Sequence, residues 1–139
     1  GGFSPLFFHY GEDVDYIHRM RFYGYRVGYT PLTSGCHDRQ NRPITRQTQM
    51  KLDRVYYLSV VSDLNSGMAK CLWGGVLAPL KPGVLALLRG RFKEFCFYTG
   101  TSVRLLCRYP SIAEIKRFCK QGRPVFLENV HSKIKPIWS

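Results

Sequence analysis

The chain has 139 residues, of which 45% are hydrophobic and 14% aromatic, so it is long enough to bury a core and too apolar to be disordered throughout. Its net charge of +12 lies entirely in residues 41–139, which carry seventeen basic and five acidic side chains, whereas residues 1–40 carry four of each. Five widely spaced cysteines without a C-x-x-C pair argue against a disulfide framework or a zinc ribbon and suit a reducing compartment.

The first predicted helix covers residues 12–23. Apolar side chains recur there at near-helical spacing, and Asp15 and Arg19 are placed to form an i,i+4 ion pair. Gly24 is expected at the C-terminal end of this helix. A short strand is predicted over residues 26–29, followed by a polar, irregular stretch that contains His37.

Three further helices are predicted in the basic region. The first covers residues 47–64, with one apolar stripe formed by Val55, Leu58, Val61 and Leu64. The second covers residues 84–98, and the third opens at a capping box at Ser111 and ends near Gly122. Residues 68–88 are the most apolar part, but interruptions leave no run of about 18 apolar residues, so no membrane span is predicted.

The carboxylates of residues 12–15 are the candidate catalytic groups. A carboxylate that acts as a general base must stay ionised, and the first turn of a helix stabilises a negative charge. Acidic residues in a first turn also commonly serve only to stabilise the helix. A third interpretation treats Asp13 and Asp15 as a D-x-D metal motif. Residues two apart on a helix point about 200° away from each other, which disfavours that interpretation.

The order of motifs in residues 1–37 resembles one enzyme family. Gly-Gly-Phe opens the chain and a Phe-Phe pair precedes Glu-Asp-x-Asp, followed by an arginine, Gly-Tyr, a proline and a histidine. This order resembles the C-terminal half of the catalytic domain of family 2 glycosyltransferases, the inverting GT-A enzymes that include rhamnosyl- and galactofuranosyl-type transferases. Ser4 departs from the aspartate or asparagine that is common after Gly-Gly-Phe in that family.

The resemblance implies a role for three residues. Asp13 corresponds to the catalytic base, and Glu12 is expected to help hold the acceptor. His37 occupies the place where many family members put a histidine that faces the metal, here Mg²⁺ or Mn²⁺. The implied substrates are a nucleotide-sugar donor and a glycan or lipid-linked glycan acceptor, as in the synthesis of cell-surface polysaccharides.

The implied fold is an α/β GT-A glycosyltransferase, of which this chain holds only the acceptor-side part, mostly α-helical with one or two short strands. Residues 1–43 are predicted to be the end of the catalytic domain and residues 44–139 a basic amphipathic helical extension. We expect a chain without the donor-binding half to be inactive alone.

The basic extension predicts a peripheral position at the cytoplasmic face of the cell membrane. Basic side chains lie beside broad apolar surfaces, as in helices at an anionic membrane interface, with Leu85, Leu88, Phe92 and Phe95 expected to insert. No nucleic acid partner is expected, because no RNA-binding aromatic motif or long basic run is present. The alternative is a non-catalytic basic module that binds an anionic membrane or nucleic acid. The sequence does not determine the oligomeric state.

Overall fold

The computed structural model describes residues 3–4, 6–7, 10–28, 30–32 and 43–122. Within these residues it contains helices and no strand. The helices are α1 (Glu12–Phe22), α2 (Arg46–Ser62), α3 (Met68–Lys70), a π-helical segment (Cys71–Leu77), α4 (Leu80–Leu88) and α5 (Phe92–Lys120). The prediction of a mostly helical chain is confirmed.

The predicted short strand over residues 26–29 is wrong for the part that the structure describes. Residues 25–28 are exposed and irregular, and no neighbouring described segment offers the hydrogen-bonding partner that a strand requires. The predicted end of the first helix is confirmed, because Gly24 follows the helix with a φ of 81° and its N–H donates to Arg21 O at 3.1 Å. Glycine adopts this left-handed conformation without steric cost.

Helix α2 follows its prediction closely. The Oγ1 atom of Thr45 accepts a hydrogen bond from the N–H of Thr48 at 3.2 Å and so caps the helix. Along the predicted apolar stripe, Leu58 and Val61 are fully buried and Leu64 nearly so, while Val55 packs against the same core. The helical period of the sequence therefore identified both this helix and its buried side.

The apolar region 68–88 is helical almost throughout, despite its interruptions. The π-helical turns contain Gly74 and Gly75, and a turn at Pro79 precedes α4. Proline has no N–H to donate and clashes with the preceding turn, so the chain leaves regular α-geometry there. Met68–Leu88 is long and apolar enough to cross a membrane, with a mean hydropathy of 1.6 and a third of the window buried. Length and composition alone do not distinguish a span from a core helix.

The two remaining helix predictions need correction. The predicted helix over residues 84–98 is interrupted, because α4 ends at Leu88 and α5 begins at Phe92 after a turn in which Gly90 has a φ of 69°. The predicted helix start at Ser111 lies inside α5, which continues through Pro110. Proline removes one helical hydrogen bond, but burial of Leu105 and Ile112 on either side holds the helix in one piece.

One apolar core joins the N-terminal loop to the helices. Leu6 and Phe7 pack in the same cluster as Leu58 of α2 and Leu105 of α5. Val76 of the π-helical segment completes the contact from a third side. The stretch predicted to belong to the catalytic domain is therefore anchored on the helices of the basic region.

The π-helical segment approaches α2 very closely at Gly75. A Cβ atom on this glycine would lie 2.1 Å from Cγ2 of Val61 and 3.2 Å from the carbonyl oxygen of Tyr57. Both neighbours belong to the inner side of α2, so they have little room to move aside. Only glycine fits at this position, because any side chain would clash with α2.

Polar contacts connect α2 to α5 at several points along the length of α2. The hydroxyl of Tyr98 donates to Asp53 at 2.6 Å, and Arg46 forms an ion pair with Glu94 at 2.7 Å. At the other end, the Nζ atom of Lys116 donates to Val61 O at 3.1 Å and lies 3.2 Å from the Sγ atom of Cys71. Lys116 thereby satisfies a carbonyl at the C-terminal end of α2, where a cation is also favoured by the helix dipole.

The close approach at Gly75 predicts a large loss of stability on substitution. Gly75→Ala should lower the free energy of unfolding by about 1–3 kcal/mol, because the added methyl overpacks the contact with α2. The matched control is Gly100→Ala in α5, where a Cβ atom would meet nothing within 4 Å. That control should raise stability by about 0.5–1 kcal/mol through helix propensity. Urea unfolding followed by circular dichroism measures both, and equal effects at the two positions would contradict the described packing.

Candidate functional site

The start of α1 is fixed by Gly11. This residue has a φ of 83°, and a Cβ atom on it would lie 2.4 Å from Cγ1 of Val55 in α2. Only glycine combines this conformation with this closeness. The N-terminal turn of α1, which carries Glu12 and Asp13, is therefore held against α2 by the backbone itself.

Asp13 lies exposed in this first turn. Its Oδ1 atom accepts a hydrogen bond from the N–H of Val14 at 2.8 Å. The unpaired N–H groups and the dipole at a helix start favour an ionised carboxylate there. The position suits a group that must remain charged and accessible, as the sequence-based prediction for Asp13 requires.

Asp15 has a different environment. Its side chain is buried and accepts a hydrogen bond from the Nε atom of Arg19 at 2.9 Å, as the i,i+4 spacing predicted. Burial raises the pKa of Asp15 above its usual value, although the Arg19 guanidinium acts in the opposite direction. Because Asp13 is exposed and Asp15 is turned into the protein, the two carboxylates do not form a common D-x-D site.

Glu12 is half-buried and has an unusual acceptor atom. Its Oε2 is inaccessible to solvent, and no hydrogen-bond partner for it lies among the residues that the structure describes. Buried carboxylate oxygens are normally satisfied by a donor, so this atom can meet a hydroxyl or a water molecule only if the Glu12 side chain turns outward. A role in holding an acceptor remains a prediction for Glu12.

A cleft of about 560 Å³ runs along α1 beyond these carboxylates. It is lined by Tyr16, Arg19, Met20, Tyr23 and Tyr25. Residues three and four apart share a side of a helix, so Asp13 lies on the same side as Tyr16 and Met20, one turn before the cleft.

The sequence analysis did not single out these tyrosines. Tyr16 and Tyr23 are seven residues apart, which is two helical turns, and this spacing was the available signal. Tyr16 and Tyr23 each make a contact with another part of the protein. The ring of Phe3 contacts the ring of Tyr16 edge-on, with 6.1 Å between the ring centroids. The hydroxyl of Tyr23 donates a hydrogen bond to the carbonyl of Cys119 near the end of α5.

The turn after α2 is hydrogen-bonded to α1. Asp63 accepts hydrogen bonds from the N–H and the side-chain amide of Asn65, at 2.9 and 3.0 Å, and from the hydroxyl of Ser66 at 2.7 Å. The same Asn65 amide donates to the carbonyl of His18 in α1 at 3.0 Å. Burial acts to raise the pKa of Asp63, but these hydrogen bonds outweigh it and leave the pKa below its usual value.

The predicted metal ligand His37 lies outside the described residues. Within the described part of the chain, no group of three or more His, Cys, Asp or Glu side chains is placed to hold a metal ion. The divalent metal therefore stays a prediction from the resemblance, and no step below is assigned to it.

Comparison of this chain with known protein families, with curated proteins and with solved structures finds no match.

The hydrogen bonds of Asp63 predict a pH-dependent contribution to stability. Asp63→Ala should lower the free energy of unfolding at pH 7 by about 1–3 kcal/mol, because it leaves the buried hydroxyl of Ser66 and the N–H of Asn65 without their acceptor. Since the folded protein lowers the pKa of Asp63, this contribution is present above the unfolded-state pKa of about 3.9 and is lost as pH falls through the folded value. Urea unfolding at pH 7 and at pH 3 measures it.

The control is Asp13→Ala, which removes an exposed carboxylate from the same part of the protein. It should cost no more than about 1 kcal/mol at pH 7. If the two variants lose the same stability, or if the Asp63 effect grows towards pH 3, the hydrogen bonds described for Asp63 do not support α1.

Proposed function

We propose that this chain is the acceptor-side part of an inverting, GT-A-type glycosyltransferase of family 2, and that Asp13 is its general base. The observation that carries the proposal is the exposed carboxylate of Asp13 in the first turn of α1, one helical turn from a tyrosine-lined cleft. The motif order of residues 1–37 supports it independently.

In the proposed reaction an acceptor sugar lies in the cleft with one hydroxyl near Asp13. Asp13 takes the hydroxyl proton as the oxygen attacks the anomeric carbon of the donor. The bond from that carbon to the nucleoside diphosphate breaks, and the diphosphate leaves with the electron pair. The products are the glycosylated acceptor with inverted configuration, the nucleoside diphosphate and a protonated Asp13, which returns its proton to solvent.

The cleft has the chemistry that sugar recognition requires. Tyrosine rings offer apolar faces to the C–H groups of a sugar, although the hydroxyl of Tyr23 is already bonded to the carbonyl of Cys119. Glu12, next to the base in sequence, is proposed to accept a hydrogen bond from a sugar hydroxyl after its Oε2 atom, inaccessible in this structure, turns toward solvent. Arg19 also lines the cleft, while its Nε atom is bonded to Asp15.

The environment of Asp15 distinguishes it from Asp13. A double displacement needs a nucleophile on the enzyme, and Asp15 does not suit that role because it is buried and bonded to Arg19. Asp13 is therefore proposed as the carboxylate that acts as the general base, and Asp15 is proposed to hold Arg19 in place.

The donor is proposed to be a nucleotide-sugar bound by a half of the enzyme outside this sequence. When bound, a divalent metal would offset the negative charge of the diphosphate, with His37 as the proposed ligand. The acceptor is proposed to be a glycan or a lipid-linked glycan, used at the cytoplasmic side of the membrane.

The proposal predicts a sharp difference between two aspartates. In the full-length protein, Asp13→Asn should lower kcat by about 10²–10⁴-fold with donor binding little changed, because the amide keeps the shape but cannot take a proton. Asp15→Asn is the matched control and should cost far less, because the amide oxygen can still accept the hydrogen bond from Arg19. The measurement is release of UDP, dTDP or GDP from a panel of nucleotide-sugars in the presence of acceptor, followed by kinetics on the active donor.

Equal losses at Asp13 and Asp15 would contradict the role of Asp13 and favour the D-x-D interpretation. Absence of nucleotide release with every donor and acceptor tested would favour the alternative of a non-catalytic basic module. Sugar transfer by the 139-residue chain alone would contradict the proposal that its donor site lies elsewhere.

A further inference from the structure

The helical segment from Met68 to Leu88 carries a large exposed apolar surface. Only a third of its most apolar window is buried, although its mean hydropathy is 1.6. Trp73 and Leu88 are 69% and 79% exposed. The other exposed members of this surface, here called the apolar strip, are Met68, Leu72, Leu80, Val84, Leu85 and Leu87. Large exposed apolar surfaces commonly mark an interaction site, so the apolar strip indicates a partner.

Basic side chains surround the apolar strip. Between residues 64 and 93 the sequence contains five Lys or Arg and no Asp or Glu. Lys81 lies within α4, while Arg89 and Arg91 lie in the turn beyond Leu88. Arg91 forms an ion pair with Glu94, with 3.3 Å between the nitrogen and the oxygen. Within the described part of the chain, no ion pair is found for the other four, which are Lys70, Lys81, Arg89 and Lys93.

We propose that the apolar strip docks on the surface of an anionic lipid bilayer. Tryptophan, leucine and valine side chains enter the boundary between headgroups and acyl chains, and the surrounding lysines and arginines contact the anionic headgroups. A second copy of the chain fits less well, since a symmetric contact brings five positive charges against five. A nucleic acid would neutralise the positive charges but would leave the leucine side chains exposed to water.

The segment lies along the bilayer surface in this arrangement. Its opposite side is committed to the protein, because Cys71, Gly75, Val76 and Ala86 are buried against the rest of the fold. A spanning orientation would place Lys81 within the hydrocarbon and would draw the charged helices α2 and α5 in with it. The exposed side of a helix that is packed on its other side suits shallow insertion.

The structure also changes which residues are expected to insert. The sequence pattern placed Leu85, Leu88, Phe92 and Phe95 on one helix, but the turn at residues 89–91 separates these positions into two helices. Phe95 is half-buried and contacts Phe92 at 5.8 Å between ring centroids. Leu85, Leu88 and Phe92 are exposed and stay candidates, and Trp73 is added to them.

The test is flotation of the purified chain with vesicles of phosphatidylcholine containing 30% phosphatidylglycerol, against pure phosphatidylcholine, at low and high salt. The inference predicts binding to the anionic vesicles that weakens as salt rises. Trp73→Ser with Leu88→Ser should lower the partition coefficient by at least tenfold. The matched control is Val103→Ser with Leu106→Ser, which removes two apolar side chains of α5 that are also more than half exposed and should leave binding unchanged.

Charge is tested separately with Lys81→Gln, Arg89→Gln and Lys93→Gln. Each change should lower the partition coefficient by about fivefold, because a basic residue near an anionic surface contributes about 1 kcal/mol. Exposed Lys51→Gln and Arg108→Gln are the controls and should have smaller effects. Circular dichroism of each variant should match the parent, since all changed side chains are exposed.

Four results would overturn the inference. These are no binding at low salt, equal binding to neutral vesicles, equal losses in the α5 control, or a concentration-dependent dimer that the Trp73 and Leu88 changes abolish. The last result would assign the apolar strip to self-association. The inference does not depend on the proposed glycosyltransferase activity, because flotation needs no donor, acceptor or turnover.

Discussion

The fold depends on the C-terminal half of α2, where α1, the π-helical segment and α5 all meet. Leu58 and Val61 are fully buried there. Gly75 lets the π-helical segment approach Val61 to a distance that no other residue permits. Lys116 closes the same end by donating to the carbonyl of Val61. Large apolar side chains, one close glycine contact and one cation at the helix end together define how the helices pack.

The candidate site is positioned by that same part of α2. Gly11 brings the start of α1 against Val55, and Asn65 connects the turn after α2 to the carbonyl of His18. The inner side of α1 is partly polar, because Asp15 is the one buried residue of the helix while Phe22 packs, partly buried, against the core. A charged and hydrogen-bonded inner side fixes the rotation of α1 more narrowly than apolar packing does, at some cost in desolvation. The rotation decides that Asp13 faces outward while Asp15 faces inward.

The sequence predicted some of these features because their causes are local. The helical period of α2, its apolar stripe and the glycine after α1 are properties of neighbouring residues, and they were confirmed. The predicted break before Ser111 was wrong because burial of Leu105 and Ile112 outweighs one missing hydrogen bond at Pro110. The predicted helix over residues 84–98 was wrong because Gly90 can take a positive φ, which apolar spacing does not reveal.

The candidate site was predictable only in part. The acidic cluster at the start of α1 is visible in the sequence, and so is the spacing that pairs Asp15 with Arg19. The cleft is not visible, because it joins Tyr16 on α1 to Tyr25 beyond the helix, and their proximity is a property of the turn at Gly24. The buried Oε2 atom of Glu12 likewise follows from packing. His37 lies outside the described residues, so its role stays a prediction.

The central functional claim is that one carboxylate, Asp13, acts as a base in a single displacement. The stereochemistry of the product tests this most directly, because one displacement inverts the anomeric carbon and two displacements restore it. Proton NMR of the anomeric signal, recorded from the first turnovers of the full-length protein on its active donor, reads the configuration. The account predicts a product of opposite anomeric configuration to the donor. Retention of the donor configuration would contradict it.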